Sequence, residues 1–114
     1  MRNQNEIMKT KFLIVTMSDN SQWKIPAQFI ADRRAKYYSE AECKKDPTLL
    51  LAVVYNREFE YTLKSNAEII DWTSNNMNWC DVKDVAVEIP HKKKEPDYDN
   101  DWADAYKEVL TVEL

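Results

Sequence analysis

The 114-residue chain contains no glycine. Average usage of about 7% would supply about eight. Without glycine, a phosphate-cradling loop or a dinucleotide fingerprint is excluded, because every residue carries a Cβ that keeps the backbone away from a phosphate. Glycine-closed hairpins and helix ends are excluded as well, so Asn, Asp and Pro must supply the turns. Histidine is nearly absent: His91 is the only one. A serine or cysteine hydrolase would need it as base, and no nucleophile stands near it in sequence, so no enzymatic activity is expected. Cysteine is scarce too. Cys43 and Cys80 form no C-x-x-C pair, whereas a structural zinc site takes four such ligands, so neither a metal site nor a cofactor is expected.

Long apolar runs are missing. No stretch approaches the 18 or so residues needed to cross a membrane. The short run at residues 12–17 lacks the small-residue cleavage pattern of a signal peptide. These absences predict a cytoplasmic protein with reduced thiols and no membrane partner. A basic excess is missing as well: 16 Lys and Arg against 20 Asp and Glu give a net charge of −4. That balance disfavours direct binding to nucleic acid. What the chain does have is 44% hydrophobic and 32% charged residues, a globular composition. Its length suits a single domain over residues 1–114 with one ordinary core.

The organising stretch is residues 69–82, I-I-D-W-T-S-N-N-M-N-W-C-D-V. Ile69, Ile70, Trp72, Thr73 and Met77 recur at three- and four-residue spacings and share a helix face. Ser65 or Asn66 caps this helix, and Glu68 suits its first turn. Asn75, Asn76 and Asn78 tolerate left-handed geometry and mark its exit. Trp79 and Val82 are expected to fold back onto it.

Around that helix the other elements fall in order. Residues 1–9 are polar and predicted flexible. Residues 11–17 are rich in β-branched and aromatic side chains and read as a buried strand. The turn Ser18-Asp19-Asn20-Ser21 then leads into a partner strand over residues 22–25. Pro26 takes the first helical position of a helix running to about Ala41, with Ala27, Ile30, Ala31, Arg34, Tyr37, Tyr38 and Ala41 on one broad face. Asp46-Pro47 repeats that start pattern. Residues 48–63 fit a helix through Leu50, Val53, Val54, Arg57 and Tyr61, although residues 55–63 also alternate as a strand would. Residues 85–89 read as a short strand stopped by Pro90. Residues 91–101 form a charge-dense loop, and Trp102, Ala105, Tyr106, Val109 and Leu110 at helical period predict a closing helix. The fold class is therefore α+β: a small, mostly antiparallel sheet, made of the N-terminal hairpin plus a later strand, covered by three to four helices.

Two residue sets merit a functional reading. Asp97, Asp99, Asp101 and Glu108 have the 1, 3, 5, 12 spacing of an EF-hand calcium loop. Trp102 stands where that loop needs glycine, and Asp104 where it needs an aliphatic residue. An acidic start to the closing helix explains the aspartates better than a metal does. Arg33, Arg34, Tyr37 and Tyr38 pair cations with aromatic faces, a combination that holds phosphate and stacks bases.

The runs W-K-I-P-A-Q-F-I-A-D-R-R-A-K-Y-Y and D-W-T-S-N-N-M-N-W-C-D-V resemble those of small bacteriophage- and prophage-encoded proteins over about residues 10–90. The resemblance implies a non-enzymatic protein that binds and inhibits a host protein, such as a defence nuclease complex, in the manner of an anti-CRISPR. In that role Asp97, Asp99, Asp101, Asp104, Glu58 and Glu60 would occupy a groove built for phosphates. The alternative is a protein that sequesters a nucleotide through Arg33, Arg34, Tyr37 and Tyr38.

Overall fold

A computed structural model describes residues 9–90, 102 and 105–113. The chain runs β1 (Lys9–Thr16), β2 (Gln22–Pro26), α1 (Ala27–Lys45), α2 (Leu51–Lys64), α3 (Asn66–Asn76), α4 (Trp79–Val82), β3 (Val87–Ile89) and β4 (Tyr106–Glu113). The strands form one antiparallel sheet in the order β3-β2-β1-β4. This is the expected α+β architecture with one strand more than the sequence pattern suggested.

The β1–β2 hairpin closes without glycine. The Asn20 N–H donates to the Met17 carbonyl at 2.9 Å, and the Met17 N–H donates to Ser21 at 2.8 Å. Asn20 takes the left-handed conformation at φ 67°, the position that such three-residue loops usually give to glycine. Its short polar side chain lowers the steric penalty there.

Strand alternation then divides the sheet into two faces. Leu13, Val15 and Ile25 point into the core, where they meet Ala27 and Ile30 of α1 and Ile69 and Trp72 of α3. Met77, Val82 and Trp102 complete that core, with Trp79 packed against it. The predicted α3 face is therefore the buried one, with Ile70 half-buried at its margin. At the start of α3, the Ser65 hydroxyl accepts from the Glu68 N–H, as expected of a cap. The exit differs from expectation. Met77 is extended at φ −128°, so no asparagine takes a left-handed turn there. Asn78 instead opens α4, sharing a reciprocal capping box with Asp81.

Two further expectations are corrected. Pro47 does not begin α2. Asp46 Oδ1 accepts from the Thr48 N–H and hydroxyl, which holds a turn that delays the helix to Leu51. The Thr48 hydroxyl also keeps the Asp46 carboxyl below its ordinary range. Residues 51–64 are then helical throughout, which resolves the helix–strand ambiguity. The larger correction is at the other end of the chain: residues 106–113 form β4, not a closing helix. β4 pairs with β1 along its whole length, from Tyr106 opposite Thr16 to Glu113 opposite Lys9. Non-local pairing has overridden a local helical spacing. The reading of Asp97, Asp99 and Asp101 as a helix start therefore has no helix behind it.

Candidate functional site

The four residues proposed to hold a nucleotide separate into two pairs on α1. Arg34 faces inward and is buried. Its Nη1 donates to Glu58 Oε1 at 3.0 Å and to Thr62 Oγ1 at 3.1 Å, and its Nη2 lies 3.5 Å from Glu68. The guanidinium also stacks over Tyr38 at 4.6 Å and Tyr61 at 5.2 Å. Those contacts tie α1 to α2 and α3, so Arg34 and Tyr38 are structural. Arg33 and Tyr37 face out. Arg33 lies 4.8 Å over the Phe29 ring, and the Tyr37 ring sits 5.6 Å from that of Trp72. Arg33 borders a shallow cavity of about 160 Å³ with Trp72, Asn76, Met77 and Asp81. Small-molecule sites usually enclose about 300 Å³ or more, so this hollow is undersized for a nucleotide.

The acidic set is also divided. Glu58 is half-buried between two guanidinium groups, those of Arg34 and Arg57. Glu60 is exposed on α2. Asp97, Asp99, Asp101 and Asp104 lie outside the described residues, as do His91 and the rest of the predicted charged loop. Glu108, the last position of the calcium-loop spacing, sits in extended β4 opposite Ile14. Among the described residues, no group of three His, Cys, Asp or Glu side chains could hold a metal ion. Cys43 and Cys80 are free thiols.

The feature that sequence reasoning missed is the orientation of α2. Its seam with α1 is largely polar. Beyond the Arg34 contacts, the Tyr55 hydroxyl donates to Asp32 and Arg57 bonds Glu42. Val54 and Thr62 are the only fully buried α2 residues. The apolar residues stand outside: Leu49, Leu50, Leu51 and Val53 are 36%, 70%, 52% and 61% exposed, and Tyr61 is 51% exposed. Leu49, Leu50, Leu51 and Val53 gather at the N-terminal end of α2, whereas Tyr61 is separated from them by exposed Arg57 and lies under the Arg34 guanidinium. Single exposed apolar residues are ordinary, but four neighbouring ones at one helix end form a patch of the kind found at contact surfaces. The triple leucine was legible in the sequence. Its exposure was not, because the inner side of α2 packs through Val54, Leu63, Thr62 and the Arg34–Glu58 ion pair and leaves the leucines outside.

The Tyr55–Asp32 bond at this seam leaves a measurable signature. Donation to Asp32, with a smaller contribution from desolvation, pushes the Tyr55 phenol up to about 12 from its ordinary 10.0. A raised folded-state value means this contribution to stability is present below pH 10 and lost as pH rises through about 12. Spectrophotometric titration of tyrosinate should show one late-ionising group, absent in Tyr55→Phe. Ionisation of all tyrosines near the ordinary value in the folded protein would contradict the bond.

Compared with known proteins, the chain matches no family model, no curated sequence and no solved structure.

Proposed function

We propose that the protein is a protein-binding module whose docking face is the outer side of α2. The observation that carries this reading is the inverted helix: polar residues at the α1 seam, and Leu49, Leu50, Leu51, Val53 and Tyr61 outside. Burying large apolar side chains yields roughly 1.5–3 kcal/mol each, so this patch can anchor a partner. Leu51, Val53 and Tyr61 are held on a helix, with Leu49 and Leu50 in the turn before it, which limits the ordering entropy lost on binding. Lys44, Lys45 and Glu60 are exposed as well, and protein interfaces commonly set charged residues at the margin of an apolar centre.

The resemblance to phage-encoded proteins suggests what such a module does: it occupies a surface of a host protein and inhibits it, as an anti-defence factor would. The α2 patch supports an apolar contact as the anchor in that role. The acidic residues of the predicted decoy would then steer the approach and set its salt dependence.

The test compares wild type with the double variant Leu50→Glu/Val53→Glu. Both sites are exposed, so stability should stay within about 0.5 kcal/mol of wild type. Bacterial lysate passed over each immobilised protein should yield a stoichiometric protein partner with wild type alone. Partner affinity should fall at least a hundredfold in the variant. Equal capture by both proteins would remove α2 from the interface, and loss of binding in Arg33→Ala instead would favour the cavity beside Trp72.

A further inference from the structure

The two edges of the sheet are built differently. At one edge, β3 is three residues long and is followed at once by Pro90, which offers little backbone for pairing. At the other edge, β4 runs eight residues, contains no proline, and keeps an unbroken register with β1. Among the described residues no strand pairs with its far side.

The direction of the backbone groups on β4 follows from the hairpin. Met17 donates directly to Ser21 across the β1–β2 turn, so odd-numbered residues of β1 bond β2 and even-numbered ones bond β4. The β1–β4 register pairs Ile14 with Glu108 and Phe12 with Leu110. Even residues of β4 are thereby used up by β1. Val109 and Thr111 turn their N–H and C=O groups outward. A long, regular edge of this kind is a template for pairing with another strand; inward-turned Lys107 guards only its first pleat, before Val109.

We infer that β4 is a self-association edge: two copies of the chain pair β4 with β4 in antiparallel fashion, joining two sheets into one of eight strands. Symmetry and charge narrow the register, and the Leu110-centred one buries the exposed Leu110 side chain. Because the two-fold axis relates identical strands, residue parity must match across it, so the dyad falls on one of the β4 residues. Centring it on Glu108 would set two like charges directly opposite each other, which is destabilising. Centring it on Leu110 places Leu110 opposite itself and Glu108 opposite Val112. Val109 and Thr111 of each copy then face Thr111 and Val109 of the other and form four backbone hydrogen bonds. Leu110 is 51% exposed in the single chain, and it occupies the non-bonded pair, where facing side chains come closest.

Sedimentation velocity on the full chain tests the inference. Wild type should sediment as a concentration-dependent dimer. Thr111→Pro removes an outward N–H at an exposed edge position, where proline is tolerated. Leu110→Lys places two ammonium groups at the dyad. Each variant should weaken the dimer at least tenfold while the far-UV circular dichroism stays that of wild type. In a Cys43→Ser/Cys80→Ser background, Leu110→Cys should form an intermolecular disulfide on mild oxidation, because opposed residues there lie within disulfide reach, whereas Glu108→Cys should not. A wild type that remains monomeric at several hundred micromolar overturns the inference. So does a dimer that survives Thr111→Pro, or one abolished instead by Leu50→Glu/Val53→Glu. Loss of partner capture in the α2 variant with the dimer intact would leave β4 as the self-association edge and fault neither proposal.

Discussion

Trp102→Ala should lower stability by about 3–5 kcal/mol, the range for removing a large buried aromatic side chain. Against a total of about 5–15 kcal/mol for an ordinary domain, that is enough to unfold a marginal one. Trp102 is 2% exposed and joins the core with Met77 and Val82. It also does what glycine does elsewhere. Its Nε1–H donates to the Thr73 carbonyl at 3.0 Å and the Met77 carbonyl at 2.9 Å. Those carbonyls belong to the end of α3, where a helix leaves its last acceptors unsatisfied. A left-handed glycine would commonly bring backbone N–H groups to them; here the indole of Trp102, ahead of β4, reaches across instead. Trp102→Phe separates the two roles. It keeps most of the buried ring and removes the donor, so it should cost about 1–2 kcal/mol, the scale of a lost buried hydrogen bond. Urea denaturation followed by circular dichroism would measure both. Two variants equal to wild type would mean that the indole neither fills the core nor caps α3.

The same residue shows where the sequence was legible and where it was not. Helix α3 could be read directly, because its buried face is made of apolar residues at helical spacing and it carries a serine cap; α1 was read as a helix, but of its expected face Ala27, Ile30, Ala31 and Arg34 are buried while Tyr37 is exposed, and Ala35 and Ser39 are buried instead. The β1–β2 hairpin was also plain, since β-branched runs flank a turn made of Ser, Asp and Asn. The last strand was hidden. Trp102, Ala105, Tyr106, Val109 and Leu110 fit a helical period, and the inward alternation of β4 is interrupted by a lysine. Lys107 is buried, and its ammonium donates to the Trp102 carbonyl. A polar residue on the inner face of a strand defeats a reading that expects alternating hydrophobicity. Its pairing with β1, about a hundred residues earlier, leaves no local trace.

The candidate site was hidden for a related reason. An Arg-Arg-Lys-Tyr-Tyr cluster looks like a ligand site because cations beside aromatic rings are common to both binding sites and buried networks. Only the fold distinguishes them. Arg34 meets Glu58, Glu68, Thr62, Tyr38 and Tyr61, all outside its own turn of α1 except Tyr38. The leucines of α2 carried the opposite ambiguity, looking like core and standing in solvent.

Arg34→Ala should therefore act on stability. Removing one partner of a buried ion pair costs roughly 3–5 kcal/mol when the other charge is stranded. Glu58 keeps Arg57 at 2.9 Å, so the lower end, about 3 kcal/mol, is expected. Arg34→Met retains much of the packing against Tyr38 and Tyr61 and removes the charge. It should cost less than alanine, and combining it with Glu58→Gln should recover part of the loss, because the stranded carboxylate is then neutral. Arg33→Ala, one residue earlier but exposed, should stay within about 0.5 kcal/mol of wild type. Urea titrations of the four variants give all these differences. If Arg34→Ala were as stable as wild type and Arg33→Ala were not, the two arginines would have exchanged roles, and the polar seam that turns the leucines of α2 outward would no longer account for their exposure.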